Sequence, residues 1–274
     1  MGGKWSWPLG DLRIASLALA LALGPLVASG AEPGSRDPGA SAPVERLKVQ
    51  VLAEYPHDPT AFTQGLLVDR EGILLESTGL RGASTLRRVE LATGKILQEE
   101  KVDPRLFGEG LARVGEHLYQ LTWEAEVGLL YRADTLAPAG QFHYPGEGWG
   151  LCFDGDRLVK SSGSSYLTFH DPKTFRETRR VSVTFDGRPV ASLNELECVG
   201  GAVYANLWGT ENLVRIDPTS GRVTAVIDAG GLLTPRERLT ADVLNGIAYD
   251  PTNDLFYLTG KLWPKVFAVA FVAQ

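Results

Sequence analysis

Phe107-Gly108-Glu109-Gly110-Leu111 is one of five similar openings along the chain. The others are Phe62-Thr63-Gln64-Gly65-Leu66, Gly148-Trp149-Gly150-Leu151, Asn194-Glu195-Leu196-Glu197 and Leu244-Asn245-Gly246-Ile247. With Gly65, Gly110, Gly150, Leu196 and Gly246 taken as equivalent, the openings recur at roughly 40–50 residues, the spacing of a repeated supersecondary unit. Each is followed by a second apolar stretch with a polar end: LLESTG at 74–79, LYQLTW at 118–123, LVKSSG at 158–163, VYANLWG at 203–209 and FYLTGKLW at 256–263. Third stretches such as Leu86-Arg87-Arg88-Val89-Glu90 and Leu213-Val214-Arg215-Ile216-Asp217 alternate apolar and polar residues and run into turns. A fourth stretch follows, as at 222–227. One four-stranded sheet cannot bury both of its faces, whereas radial stacking buries each sheet against its neighbours. The repeat therefore predicts an all-β fold, a five-bladed β-propeller of four-stranded antiparallel blades. The fifth unit has no room for a fourth strand after 267–272, so the N-terminal stretch at 47–52 is expected to close the ring. A β-sandwich or two domains would also use short regular strands, but a sandwich gives no reason for five equivalent openings. Thr234 followed by Pro235 marks one inserted short helix.

The 274 residues include 27 Lys+Arg against 33 Asp+Glu, a net charge of −6, and 44 % are hydrophobic. Such a composition can bury a core, which excludes disorder over most of the length. Mild acidity without a basic block argues against nucleic acid as a partner. Lys4 and Arg13 precede an apolar run at 14–27 that ends in Ala28-Ser29-Gly30-Ala31. The run falls short of the roughly 20 residues a membrane span needs, so residues 1–31 read as a secretory signal, with an uncleaved anchor as the alternative. A Pro/Gly/Ser linker at 32–45 leads to one propeller domain at 46–274. The protein is expected to be exported, periplasmic or secreted, off the membrane once the signal is removed, and monomeric as a closed ring. Cys152 and Cys198 occupy equivalent places in successive inner strands. Equivalent side chains point the same way round a ring, which predicts two buried, unpaired thiols.

Residues that break the apolar repeat at one mouth of the ring are the candidates for chemistry. The openings contribute Phe62, Gln64, Phe107, Glu109, Trp149, Asn194, Glu195 and Asn245, and the ends of second stretches contribute Trp123, Trp208, Lys261 and Trp263. All four tryptophans beyond the signal segment fall at these positions. That predicts an aromatic-walled pocket for a small substrate carrying an amide or a cation. Glu109 sits between two glycines, which allow close backbone approach, and an acid among Phe107, Trp123 and Trp149 loses hydration. Its pKa is expected to rise toward neutrality, as a proton shuttle working near pH 7 requires. His57, His117, His143 and His170 lack metal-ligand spacing, so neither a metal nor another cofactor is expected. His57, ahead of Asp58-Pro59, reads as a turn residue. No Gly-x-Ser-x-Gly elbow offers an acyl-transfer nucleophile. Composition and spacing reach this pocket but not a reaction.

The motifs at these residues carry a resemblance. Tyr55-Pro56-His57-Asp58-Pro59, Ala61-Phe62-Thr63-Gln64-Gly65-Leu66, Phe107-Gly108-Glu109-Gly110, Gly148-Trp149-Gly150-Leu151, Leu193-Asn194-Glu195-Leu196-Glu197, Ala205-Asn206-Leu207-Trp208, Val243-Leu244-Asn245-Gly246-Ile247-Ala248 and Thr259-Gly260-Lys261-Leu262-Trp263-Pro264-Lys265 follow one another in order. Over about residues 49–271 the chain resembles the glutaminyl-peptide cyclotransferases of the plant and bacterial, papaya-latex type. The resemblance implies a five-bladed propeller that converts the N-terminal glutamine of peptides or proteins to pyroglutamate, releasing ammonia without zinc. By similarity it puts the catalytic glutamate at Glu109, the pocket aromatics at Phe62, Phe107, Trp123, Trp149 and Trp208, and polar pocket residues at Gln64, Asn194 and Lys261. The expected mechanism has the α-amine attack its own γ-carboxamide while Lys261 and Asn194 polarise the carbonyl and Glu109 carries the proton. A propeller that binds peptide N-termini without reacting is the competing expectation. Intact Glu109 and Lys261 favour the enzyme, because a binder needs no proton shuttle.

Overall fold

Strand formation follows the alternation in the sequence. The computed structural model describes residues 43–69 and 71–274; the expected signal and all but the last residues of the expected linker lie outside them. The chain begins with β1 (Glu45–Pro56). A first sheet follows from β2 (Thr63–Val68), β3 (Ile73–Thr78), β4 (Thr85–Glu90) and β5 (Lys95–Lys101). The second contains β6 (Gly108–Val114), β7 (His117–Thr122), β8 (Val127–Arg132) and β9 (Pro138–His143). The third contains β10 (Leu151–Phe153), β11 (Leu158–Lys160), β12 (Tyr166–His170) and β13 (Glu177–Ser182). A small hairpin of β14 (Thr184–Phe185) and β15 (Arg188–Pro189) precedes β16 (Leu193–Val199), β17 (Ala202–Leu207), β18 (Asn212–Ile216) and β19 (Val223–Asp228). The last three strands are β20 (Leu244–Asp250), β21 (Leu255–Gly260) and β22 (Lys265–Ala273). Within each group, successive strands pair antiparallel in chain order.

The expected helix after Thr234 is a single 3-10 turn, Glu237–Leu239, the one helical element among the described residues. Thr234 and Glu237 cap one another: the Thr234 amide and hydroxyl each donate to Glu237 Oε2 at 2.8 Å, and the Glu237 amide donates back to Thr234 Oγ1 at 3.3 Å. No helix among the described residues is long and apolar enough to cross a membrane.

The N-terminal strand does more than the sequence predicts. It pairs antiparallel with β22, from Leu47 opposite Ala273 to Pro56 opposite Lys265, and so supplies the fourth strand of the last sheet. Residues 45–48 also pair parallel with 225–228 of β19. One strand thus fuses two four-stranded groups into an eight-stranded sheet, in the order β16-β17-β18-β19-β1-β22-β21-β20.

The inner strands β2, β6, β10, β16 and β20 touch in succession, and β20 returns to β2. Apolar residues fill the space between each neighbouring pair of strand groups. Leu75 and Leu86 meet Leu111, Leu118 and Tyr131; Leu121 and Tyr144 meet Leu151, Leu158 and Phe175. Val159 and Phe169 meet Leu196, Val203 and Val214. Leu213 and Ile227 meet Ile247, Leu258 and Phe267, and Ala248, Tyr257 and Val266 meet Leu66, Leu74 and Val89. Burial of each sheet face by the next is the main stabilising term of such an arrangement.

Glycine lets the inner strands come this close. A Cβ on Gly110 would lie 2.5 Å from the Leu151 amide nitrogen and 2.6 Å from the Trp149 carbonyl oxygen. Without it, the Gly110 amide donates to that carbonyl at 2.7 Å. The same proximity corrects one expectation. Cys152 and Cys198 are joined in a disulfide rather than left as two free thiols. Their strands, β10 and β16, bring the two Cα atoms to 5.5 Å, within the range a disulfide spans. At that separation a shared side-chain direction does not keep the sulfurs apart.

Candidate active site

Glu109 lies near the start of β6 and is only 4 % exposed. Its carboxylate accepts a hydrogen bond from Gln64 Nε2 on β2 at 2.9 Å, and Gln64 Oε1 accepts one from Asn245 Nδ2 on β20 at 3.2 Å. The Ser77 hydroxyl of β3 donates to the Glu109 carbonyl at 2.5 Å. Strands from three sheets therefore fix the acid in place. Burial pushes the Glu109 carboxyl well above the usual carboxylate range; the Lys261 cation opposes that rise and the Glu147 carboxylate adds to it.

Lys261 directly follows β21 and is buried. Its ammonium stands 4.8 Å from the centre of the Phe62 ring, a cation–π contact. Burial holds its pKa below that of an ordinary lysine, with Glu109 and then Asp242 pulling it back up.

From Phe62 an aromatic wall continues. Phe62 meets Phe107 edge-on with ring centres 6.0 Å apart, and Phe107 meets Trp123 at 5.7 Å. Trp149 and Trp208 form another edge-to-face pair at 6.0 Å. The two groups are joined by a carboxylate: Trp123 Nε1 and Trp149 Nε1 both donate to Glu147 Oε2, each at 2.8 Å. Glycines at the ends of the second strands make room for these rings. A Cβ on Gly79 would run into the Phe107 ring, and one on Gly163 would lie 2.7 Å from the Trp149 ring.

The structure thus links Phe62, Gln64, Phe107, Glu109, Trp123, Trp149, Trp208 and Lys261 through direct contacts or charge. Trp208 is the most open of them, at 50 % exposure. Asn194, on β16, is buried; its carbonyl accepts from the Ser161 hydroxyl at 2.7 Å, and its Oδ1 has no hydrogen-bond partner among the described residues. It shares no hydrogen bond with Glu109 or Lys261 among those residues.

Three sequence expectations change. Trp263 is not part of the aromatic wall: it is buried, donates Nε1–H to the Asp242 carbonyl at 2.8 Å, and meets Phe267 edge-on in the core. Glu195 does not stand at the mouth. Fully buried, it accepts the Ile247 amide at 2.8 Å and the Leu66 amide at 3.3 Å, tying β16 to β20 and β2. His57 is no mere turn residue: its ring is buried, with Nδ1 2.7 Å from the Trp263 carbonyl oxygen and Nε2 2.9 Å from Glu76 Oε1. Burial opposes the charges of this pair, but each partner stabilises the other's ion, leaving His57 raised and Glu76 lowered. His170 is likewise engaged, by Thr168 and the Phe175 carbonyl. No group of three or more His, Cys, Asp or Glu side chains able to hold a metal occurs among the described residues.

Glu147 escaped the sequence reading, although a signal existed. Gly146-Glu147-Gly148 repeats the Gly-Glu-Gly of 108–110, two residues before Trp149. It also borders a polar cleft of about 200 Å³ lined by Lys160, Ser162 and Ser164. A larger groove of about 580 Å³, lined by Val102, Leu106, Leu129 and Tyr131, contains none of the expected site residues.

The family model described as glutamine cyclotransferase matches residues 18–271. The chain belongs to the glutamine cyclotransferase family. Within that family it is similar to the glutaminyl-peptide cyclotransferase of Arabidopsis thaliana, with 43 % identity over 227 residues, 81 % of this chain and 71 % of that protein. It is also similar to the crystal structure of Myxococcus xanthus glutaminyl cyclase, with 40 % identity and a TM-score of 0.77, covering 85 % of this chain and 100 % of the other. Membership agrees with the resemblance that the sequence motifs carry.

Proposed function

We propose that this protein is a metal-independent glutaminyl-peptide cyclotransferase, built as a five-bladed propeller, with Glu109 as its proton shuttle. The observation that carries the reading is a buried carboxylate, held by Gln64 and drawn by the charge of Lys261, whose ammonium in turn lies over Phe62, the first of five connected aromatic side chains. The relatives' names supply the reaction class, and the cycle of inner-strand contacts supports the propeller.

The reaction is intramolecular, so conformation supplies much of its rate. The aromatic wall excludes water and folds the glutamine side chain back on the peptide's own N-terminus. The neutral α-amine then attacks the γ-carboxamide carbon, forming the ring C–N bond. Lys261 Nζ and Asn194 Nδ2 stabilise the oxygen as charge develops on it; Asn194 Oδ1, an acceptor with no partner among the described residues, is open to an N–H of the substrate. Glu109, as carboxylate, takes a proton from the attacking amine and returns it to the departing nitrogen, which leaves as ammonia when the old C–N bond breaks. A carboxylate whose pKa is raised by burial suits both halves of that transfer. The substrates are peptides or proteins beginning with glutamine, and the protein acts as an exported monomer. The leader pattern at 1–31 and the Cys152–Cys198 bridge support export.

The test is ammonia release and pyroglutamate formation from a glutamine-initiated dipeptide with chelator present. Wild-type protein is expected to turn over, and Glu109→Gln to lose on the order of a hundredfold to ten-thousandfold in kcat with an unchanged melting temperature. Chelator-sensitive turnover would remove the metal-free mechanism, and undiminished Glu109→Gln turnover would remove the shuttle. Tight binding of such peptides without product would point instead to a peptide-binding propeller.

A further inference from the structure

Two indoles from different sheets converge on one oxygen atom. Trp123 follows β7 in the second sheet, Trp149 precedes β10 in the third, and the Nε1–H of each reaches Glu147 Oε2 at 2.8 Å. An indole nitrogen is a donor only, so each ring has a single polar handle, and here both handles are fixed by one carboxylate. Glu147 is itself held by its backbone. Lys160 Nζ, whose stem is buried, donates to the Glu147 carbonyl at 2.7 Å, and the preceding Gly146 amide donates to Glu126 Oε1 at 2.6 Å. The other carboxylate oxygen, Oε1, has no hydrogen-bond partner among the described residues. A surface glutamate that merely solvated a loop would make neither of the two indole contacts.

We infer that Glu147 is a positioning residue: by clamping Trp123 and Trp149 together it sets the width and angle of the slot in which the substrate glutamine folds back. The inference rests on the cyclotransferase reading and adds a residue to it. A second effect comes with the clamp. Among the groups facing Glu109, Gln64 donates a hydrogen bond, Lys261 brings a positive charge, the Tyr144 phenol lies nearby with its hydroxyl bound to Thr122, and Glu147 is the source of negative charge. Removing that negative charge makes ionised Glu109 easier to form.

Three measurements on wild-type protein, Glu147→Ala and Glu147→Gln test this. Glu147→Ala frees both indoles and is expected to lower kcat by on the order of tenfold to a hundredfold, as loss of orientation does. Glu147→Gln keeps an acceptor oxygen, so it is expected to recover most of that loss. It also lacks the charge, so its acid limb of kcat/KM moves to lower pH. In 1H–15N spectra, the indole resonances of Trp123 and Trp149, assigned with Trp123→Phe and Trp149→Phe, are expected to shift together in Glu147→Ala while that of Trp263 stays. Active wild-type protein alongside a Glu147→Ala variant with kcat within twofold, or with unmoved indole resonances, overturns the inference alone. Inactive wild-type protein overturns the cyclotransferase reading and this inference with it.

Discussion

Glu109 and Lys261 are driven toward their neutral forms by the same burial, and each is drawn back by the other's charge. As the proposed shuttle, Glu109 must begin as a carboxylate and so fails as pH falls through its pKa. The acid limb of kcat/KM is therefore expected well above the ordinary glutamate value of about 4.3. Lys261→Met removes the cation that favours ionised Glu109, so whatever activity remains should show that limb moved to higher pH, opposite in sign to the Glu147→Gln shift. The ratio of Lys261→Met to wild-type kcat/KM between about pH 5 and 9 measures it, because the titration of the substrate's own amine cancels there; a ratio that stays flat or rises as pH falls would uncouple the two residues. These groups stood out because each interrupts an apolar repeat, but interruption alone does not mark chemistry: Glu195 interrupts the repeat too and serves to tie strands together. Trp263 marks the limit of that logic. It occupies a repeat-equivalent position, but Leu262 adopts a positive φ of 60° just before it, and the indole turns into the core instead of the pocket. Backbone reversal of this kind leaves no trace in residue type.

At the scale of the strand, the recurring glycine of the openings is a distance constraint. In Gly110→Ala the new methyl meets the Leu151 amide and the Trp149 carbonyl, backbone atoms that cannot swing aside. The expected cost is about 1–3 kcal/mol, read from urea unfolding against wild type. A variant of unchanged stability would mean that the inner strands can separate freely. Strand order and pairing were legible from the period, because burial between two sheets demands apolar residues on both faces at regular places. The fourth opening shows how far equivalence stretches: Leu196 replaces glycine there and packs in the core with Val203 and Val214. What the pattern did not disclose was the parallel pairing of β1 with β19. Edge hydrogen bonds are made by backbone, so residues 45–48 could as well have remained solvated.

Across the whole molecule, the bridge from Cys152 to Cys198 staples β10 of the third sheet to β16 of the eight-stranded sheet over a sequence separation of 46 residues. A closed loop of that length removes chain entropy from the unfolded state worth about 4 kcal/mol. The double substitution Cys152→Ser with Cys198→Ser is expected to lower unfolding free energy by up to that amount, and reductant to lower that of the wild type similarly. Equal denaturation midpoints with and without reductant would show that the bridge adds nothing. The bridge was misread from sequence because direction was weighed without distance. The repeat specifies which way equivalent side chains face, whereas the spacing of neighbouring inner strands emerges only when the sheets are packed.

The double pairing of β1, with β19 on one side and β22 on the other, has a temporal consequence. On the ribosome β1 emerges before every other described strand, and its antiparallel partner β22 after every other one of them. Until then two sheet edges stand bare, and such edges invite pairing with another chain. Contacts so remote along the sequence form slowly, so this seam is expected to close late, when the nine-residue strand β22 joins β1.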